Sequence, residues 1–399
     1  MVKTNPAGRS DVVAGNELTR SADRTSGAAG QGEQGAASTE PSGPGRGSKS
    51  TELTRRVMRC IEAVRPEGDG LGVGEAPSDT LQARAVLGNA VQRGVDYLLR
   101  RQCADGHWEE YALPVGPSDA WVTAYVGLAL ADVARSLGRD DAMAAASIAA
   151  GWLVAHRPFP AGWGYSYLSG PDADSTAYAL MLFAATGNRP EARDLAWLLQ
   201  HRQPNGGFAT YLQPDAWGQA HPDVTPTAFT ALPPEHRAAL SPGILAYVEQ
   251  MRRSDGTWPA YWWKACHYST YWNLRILGEL GHAPPAAPPV VALQENRAVH
   301  TPFDLAFVTG IAQIQLGACA LTFALAGELA HHQAEDGRWP GGPSLRLTDP
   351  SCLEPWNASL GRGRMYVDTE GFITTASAVQ VLGLILAQGT TPPPGAAVG

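Results

Sequence analysis

Two kinds of apolar segment alternate along most of the chain. The first is amphipathic, ends in Gln or Arg, and runs through a polar turn into Gly-x-aromatic. It occurs as Arg93-Gly-Val-Asp-Tyr-Leu-Leu-Arg-Arg-Gln102-Cys-Ala-Asp-Gly106-His-Trp108, Trp197-Leu-Leu-Gln-His-Arg-Gln203-Pro-Asn-Gly206-Gly-Phe208, Tyr247-Val-Glu-Gln-Met-Arg-Arg-Ser-Asp-Gly256-Thr-Trp258 and His332-Gln333-Ala-Glu-Asp-Gly337-Arg-Trp339. A variant, Trp152-Leu-Val-Ala-His156 leading to Gly162-Trp163, lies between the first two. Such a unit reads as a helix closed by a glycine turn whose ring packs back on the repeat. The second kind follows each turn by roughly a dozen residues and is apolar on most faces. Its copies are Asp119-Ala-Trp-Val-Thr123-Ala124, Asp172-Ala-Asp-Ser-Thr176-Ala177, Asp223-Val-Thr-Pro-Thr227-Ala228, His267-Tyr-Ser-Thr270-Tyr271 and Thr374-Thr375-Ala376, with Phe303-Asp-Leu-Ala-Phe-Val-Thr309 where a copy is missing.

Polar-faced helices paired with apolar ones about six times, at a spacing near fifty residues, predict an all-α fold. The expected architecture is an α/α toroid of about six outer and inner helix pairs over residues 85–388, with an open solenoid as the alternative. Residues 1–50 are Gly, Ser, Ala, Pro and charge, and predict a disordered tail. Residues 51–84 hold one amphipathic helix beginning at Thr51 and a Gly-rich linker, and 389–399 form a flexible C-terminus.

Composition narrows the function. A net charge of −8 gives no basic footprint for nucleic acid. The longest apolar runs, such as Val381-Leu-Gly-Leu-Ile-Leu-Ala387, are too short to span a membrane. Five scattered cysteines do not suggest a disulfide framework, and the N-terminus lacks the apolar core of a signal peptide. A cytoplasmic protein is the expectation.

The acidic stretch from Asp172 to Asp174 is where chemistry is sought, because carboxylates at the start of a buried helix must be paired, hydrated or protonated. Asp119, Asp172 and Asp223 each precede a Thr-Ala pair by four residues and fit helix N-caps. Two residues before the same threonine stand Trp121, Asp174, Thr225 and Tyr268. On this alignment Asp174 is the one acid, so the repeat alone does not account for it.

The Gly-x-Trp turns resemble the Gln-Trp repeats of squalene-hopene and oxidosqualene cyclases. Asp172-Ala173-Asp174-Ser175-Thr176-Ala177 resembles the Asp-x-Asp-Asp-Thr-Ala motif of class II terpene cyclases, here in a single-barrel variant. The resemblance implies a terpene or meroterpene cyclase in which Asp174 protonates an alkene or epoxide of an isoprenoid, supported by Asp172. Ser175 departs from the motif, since an acid usually stands there. Residues 1–84 are too short and polar to supply the second helical domain common in these cyclases, so a homodimer or a partner chain is one way to close the site.

The chemistry requires a protonated carboxylic acid, an orienting polar residue and π faces for a carbocation. His267 begins another inner helix at the same barrel end and is the candidate orienting residue. Candidate lining residues are Trp121, Trp163, Tyr165, Tyr178, Trp263, Tyr268, Tyr271 and Phe372, with Arg362 and Arg364 as candidate contacts to a diphosphate. Protonation itself needs no cofactor and no metal; Mg²⁺ enters only if the substrate carries a diphosphate. Two further readings stay open. One is a non-catalytic toroid that binds a lipid or peptide. The other is a zinc-dependent toroid enzyme, for which Asp349 with Cys352 resembles part of the protein prenyltransferase site and Cys266-His267 the zinc-binding pair of lanthionine cyclases. No His follows Cys352, which leaves the first of these sites incomplete.

Overall fold

The computed structural model describes residues 78–282, 289–295, 301–357 and 363–388. The expected tail, the helix beginning at Thr51, the C-terminal residues 389–399 and Arg362 lie outside these residues. Among those described, twelve helices alternate in chain order between an outer and an inner ring. The pairs are α1 (Ser78–Arg100) with α2 (Ala120–Leu137), α3 (Asp140–Ala155) with α4 (Ala173–Ala185), and α5 (Ala192–Gln200) with α6 (Thr225–Thr230). They continue as α7 (Pro234–Met251) with α8 (His267–Glu279), α9 (Pro289–Glu295) with α10 (Pro302–Leu316), and α11 (Ala320–His331) with α12 (Phe372–Ala387). Each inner helix packs on the next, and α12 packs back on α2, so the ring is closed. This is the α/α toroid, not the open solenoid. None of the described helices is long and apolar enough to cross a membrane.

Burial explains the alternation. Inner helix α2 buries nearly every side chain from Ala120 to Ala134, because the outer ring covers one face and the lumen side the other. Outer helix α3 buries only its inward stripe, Ala142, Ala145, Ala146, Ala149, Ala150, Trp152 and Leu153. The run at Phe303 is inner helix α10, started by a capping box between Thr301 and Asp304.

The turns between outer and inner helices share one bonding scheme. The indole N–H groups of Trp108, Trp163, Trp258 and Trp339 donate to the carbonyls of Leu98, Leu153, Val248 and Leu329, at 3.0, 2.9, 2.7 and 2.6 Å. Their backbone N–H groups donate to the hydroxyls of Thr123, Thr176, Thr270 and Thr375 on the following inner helix. Each of these four turns therefore buries a ring while leaving no N–H on it unpaired.

In the third turn Phe208 N–H donates to Thr225, not to Thr227. This corrects the alignment by two residues. Thr225 is the repeat threonine, His221 stands where Asp172 stands, and Asp223 shares the register of Asp174. Asp174 is thus not the one acid at its position. Asp223 is also no N-cap: α6 is preceded by Val224 without a side-chain cap, and Asp223 Oδ2 accepts from the backbone N–H groups of Tyr261 and Trp262 at 2.8 and 2.7 Å.

Two antiparallel hairpins interrupt the helical pattern, β1 (Glu110–Leu113) with β2 (Gly116–Ser118) and β3 (Pro343–Leu347) with β4 (Arg364–Val367). Both lie between an outer helix and the inner helix that follows it, at the end of the barrel where inner helices begin. Glu110 and Asp368 join them there. Glu110 accepts from the backbone N–H groups of Thr369 and Glu370, while Asp368 accepts from the N–H and hydroxyl of Thr374. Burial pushes both carboxyls above their usual range, and repulsion from Asp368 adds to the rise at Glu110.

Candidate active site

A cavity of about 310 Å³ opens at that end of the barrel. Its polar floor is Asp172, Asp174 and Ser175; its walls include Trp121, Tyr165, Tyr211, Trp217, Trp262 and Trp263. Leu113, Val115 and Leu168 form one lip, and Leu345, Arg346 and Leu347 of β3 the other.

Asp172 ends its extended segment as the N-cap of α4, with Oδ1 accepting from Ser175 N–H at 2.8 Å. Ser175 Oγ donates to the other oxygen, Oδ2, at 2.7 Å. The serine that departs from the acidic motif therefore satisfies the carboxylate beside it. Burial pushes the Asp172 carboxyl up to about 6, against the pull of these bonds.

Asp174, two residues further on, turns its carboxyl to the cavity. Trp121 Nε1 donates to Oδ2 at 3.0 Å and Thr227 Oγ1 lies 2.8 Å from Oδ1. The indole N–H can only donate, so Oδ2 is an acceptor and an acid proton belongs on Oδ1. The Thr227 hydroxyl can face Val224 O, 2.9 Å away, and so accept that proton's hydrogen bond. Burial first, and then the neighbouring Asp172, push the Asp174 carboxyl up to about 8, with Asp223 adding to the repulsion. It is thus largely protonated at neutral pH while facing a space lined with aromatic rings. Glu110 and Asp368 are buried acids as well, but they do not line this cavity.

His267 does not meet Asp174. Its Nδ1 lies 3.2 Å from Asp304 Oδ1, the acid of the α10 capping box. Burial raises the Asp304 carboxyl, but the histidine and Thr301 outweigh it and hold the group below its ordinary value. The orienting contacts come instead from the two inner helices flanking α4, through Trp121 of α2 and Thr227 of α6.

Of the aromatic candidates, Trp121, Tyr165 and Trp263 line the cavity. Tyr165 donates its hydroxyl to the carbonyl of Tyr111. Tyr178 and Tyr268 stand behind this layer, joined hydroxyl to hydroxyl at 2.6 Å, with Tyr268 stacked on Trp263 at 4.6 Å. Trp163 is a turn tryptophan, used by the scaffold. Tyr271 packs on Phe307, and Phe372 on Tyr97, away from the cavity lining. Arg364 is exposed and lies over the Tyr366 ring, so it does not reach the cavity. The cavity's guanidinium is Arg346, which donates to the carbonyls of Ala260 and Lys264. Thr227, Tyr211 and Trp217 were not singled out by sequence reasoning. Tyr211 and Trp217 belong to the irregular segment before α6, which shows no repeat pattern, although two aromatics in a polar loop were a signal.

Among the described residues, neither zinc pattern assembles. Asp349 caps the N–H and hydroxyl of Ser351, and His267 is engaged with Asp304. Among the described residues, three metal-ligating side chains come together at Cys103, Asp105 and His107.

No protein-family profile and no curated protein matches the sequence. Solved structures do. The type II terpene cyclase MstE from Scytonema is 26% identical, with a TM-score of 0.65 over 76% of this chain and 98% of that one. A variant of it in complex with its substrate, geranylgeranyl dihydroxybenzoate, is 25% identical with a TM-score of 0.65, over 77% and 99%. A protein from Actinoplanes is 28% identical with a TM-score of 0.63, over 76% and 99%. With its closed ring, its acidic helix start and this likeness, the chain has a class II terpene cyclase-like fold, built as a single barrel.

Proposed function

We propose that this protein is a class II-type terpene or meroterpene cyclase whose Asp174 starts the reaction by protonating an alkene or epoxide of an isoprenoid. The observation that carries the reading is the Asp174 carboxyl itself: held in the acid form near neutrality, oriented through both oxygens, and facing an aromatic-walled cavity. In the proposed step the Oδ1 proton passes to the substrate, and the positive charge moves to the more substituted carbon. Trp121, Trp263 and Tyr165 offer π faces to that charge. The carboxylate left behind is stabilised by the indole of Trp121, already in place, and by the hydroxyl of Thr227, which turns from Val224 O to donate to Oδ1. Asp172 acts by repulsion, keeping the proton on Asp174 before the step.

The head group is more consistent with an uncharged or singly charged aromatic than with a diphosphate. Among the described residues Arg346 is the one cation in the cavity wall, and its donors are partly engaged by two carbonyls. The binding of a geranylgeranylated benzoate by MstE supports the same class.

Wild type and Asp174→Asn are to be incubated with geranylgeranyl dihydroxybenzoate, geranylgeranyl diphosphate, farnesyl diphosphate and squalene, with Mg²⁺ or with chelator, and products read by mass spectrometry. The expected result is a cyclised product from wild type, retained with chelator, and a loss of about 100-fold or more in Asp174→Asn. Equal turnover by the two proteins rejects the acid role. Binding of these substrates without turnover by folded wild type favours a lipid-binding toroid.

A further inference from the structure

The first turn of the barrel differs from its copies in a way the repeat does not require. In all four turns compared, the backbone closes identically: Cys103, Gln203, Arg253 and Ala334 donate their N–H groups to the carbonyls of His107, Gly207, Thr257 and Arg338. In three of them the polar residue before the glycine completes its own turn. Asn205, Asp255 and Asp336 accept from the backbone N–H two residues on, at 3.1, 2.9 and 3.1 Å. Asp105 does not. Its Oδ1 lies 2.6 Å from His107 Nδ1 and its Oδ2 accepts from Trp152 Nε1 at 3.0 Å.

The donor types are also peculiar to this turn. Where the copies carry Gln203, Arg253 or Ala334, it has Cys103; where they carry Gly207, Thr257 or Arg338, it has His107. The Cys103 sulfur, an Asp105 carboxylate oxygen and a His107 ring nitrogen lie within 4.8 Å of one another. Glu109 Oε1 lies 3.4 Å from His107 Nε2, the ring nitrogen opposite the one at Asp105, and so orients the ring from its other edge. Trp152 fixes the ligand directions from outside: it bonds Asp105 and stacks on the His107 ring, with centroids 4.8 Å apart. A second set of contacts that orients a carboxylate and an imidazole together is what a metal site requires beyond its ligands.

We propose that Cys103, Asp105 and His107 form a three-ligand binding site for a divalent ion of the zinc class, with water in the fourth position. One thiolate, one imidazole and one carboxylate match the borderline-soft ligand preference of Zn²⁺, and a water completes its tetrahedral coordination. The site is separate from the Asp174 cavity and stands whether or not the proposed reaction is correct. It immediately precedes β1, whose Leu113 lines the cavity lip, so its expected effect is to stiffen that hairpin.

The test uses the full chain, stripped with chelator, exchanged into buffer and titrated with Zn²⁺ by calorimetry, with bound metal counted by elemental analysis. One ion per chain is expected, together with a rise in Tm. Cys103→Ser and His107→Gln should each lose at least about tenfold in affinity. Cys266→Ser, at the competing Cys-His pair, should bind as wild type does. Titration of wild type with Co²⁺ reads the ligands without any substitution, because a thiolate ligand gives a sulfur-to-cobalt charge-transfer band. Absence of stoichiometric binding, a cobalt spectrum lacking that band, or zinc binding that survives Cys103→Ser overturns the proposal.

Discussion

Trp121 and Thr227 act on Asp174 in the same direction. Each contributes a hydrogen bond that favours the carboxylate, and each bond lowers a pKa that burial and Asp172 raise. Because the proposed catalyst is the acid form, cyclisation should be flat with pH below the Asp174 value and fall as pH rises through about 8. Trp121→Phe keeps the ring but removes the donor, and Thr227→Val removes the hydroxyl. Both should move the falling limb of the pH-rate profile to higher pH while lowering the maximal rate, since the carboxylate product is left with one donor. Initial rates measured from pH 5 to 10 check this; a limb that stays in place means that these bonds do not reach the reacting group. At this scale the sequence was informative about Asp174 and Asp172, because two acids beside a buried helix start are conspicuous in one dimension. It was not informative about His267, whose partner Asp304 begins a different helix.

Within the elements, the repeat threonines separate scaffold from chemistry. Thr176 lies wholly inside the barrel, where its hydroxyl accepts from Trp163 N–H at 3.0 Å and lies 3.1 Å from the Trp163 carbonyl. Thr176→Val leaves that buried N–H without a partner and should cost about 1–3 kcal/mol, seen as a lower Tm or denaturant midpoint. Thr227→Val, two positions out of the repeat register, should alter the pH profile with a smaller loss of stability. Equal destabilisation by the two would restore the simpler alignment on Thr227. Val224-Thr225-Pro226-Thr227 offers two threonines at the right distance from the preceding turn, and only the Phe208 N–H shows which one the turn uses. The same two-residue ambiguity hid Asp223, which shares the Asp174 register but is bound by the amides of the next turn.

The whole molecule depends on closure. Helix α12 packs on α2, on α10 and on α1, and Tyr97 of α1 donates to the carbonyl of Glu370 at 2.6 Å. A chain ending at residue 371 would expose the apolar flanks of three helices, and we expect it to lose cooperative thermal unfolding and to aggregate, as followed by circular dichroism and light scattering. Retention of a sharp transition would show that the ring is not one cooperative unit. The alternation of outer and inner helices, their number, the glycine turns and the acid at position 174 were all determined by the sequence itself. Their physical basis is local: the helical period, a turn needing positive φ at glycine, and the cost of a carboxylate among apolar neighbours. Only the tertiary structure decided what surrounds that acid. Packing of neighbouring inner helices brings together Trp121 and Asp174, 53 residues apart, and the tertiary fold seats Trp217 against Thr348 across 131 residues. Contacts of that range are fixed by how the ring packs, and no local pattern of hydrophobic and polar positions encodes them.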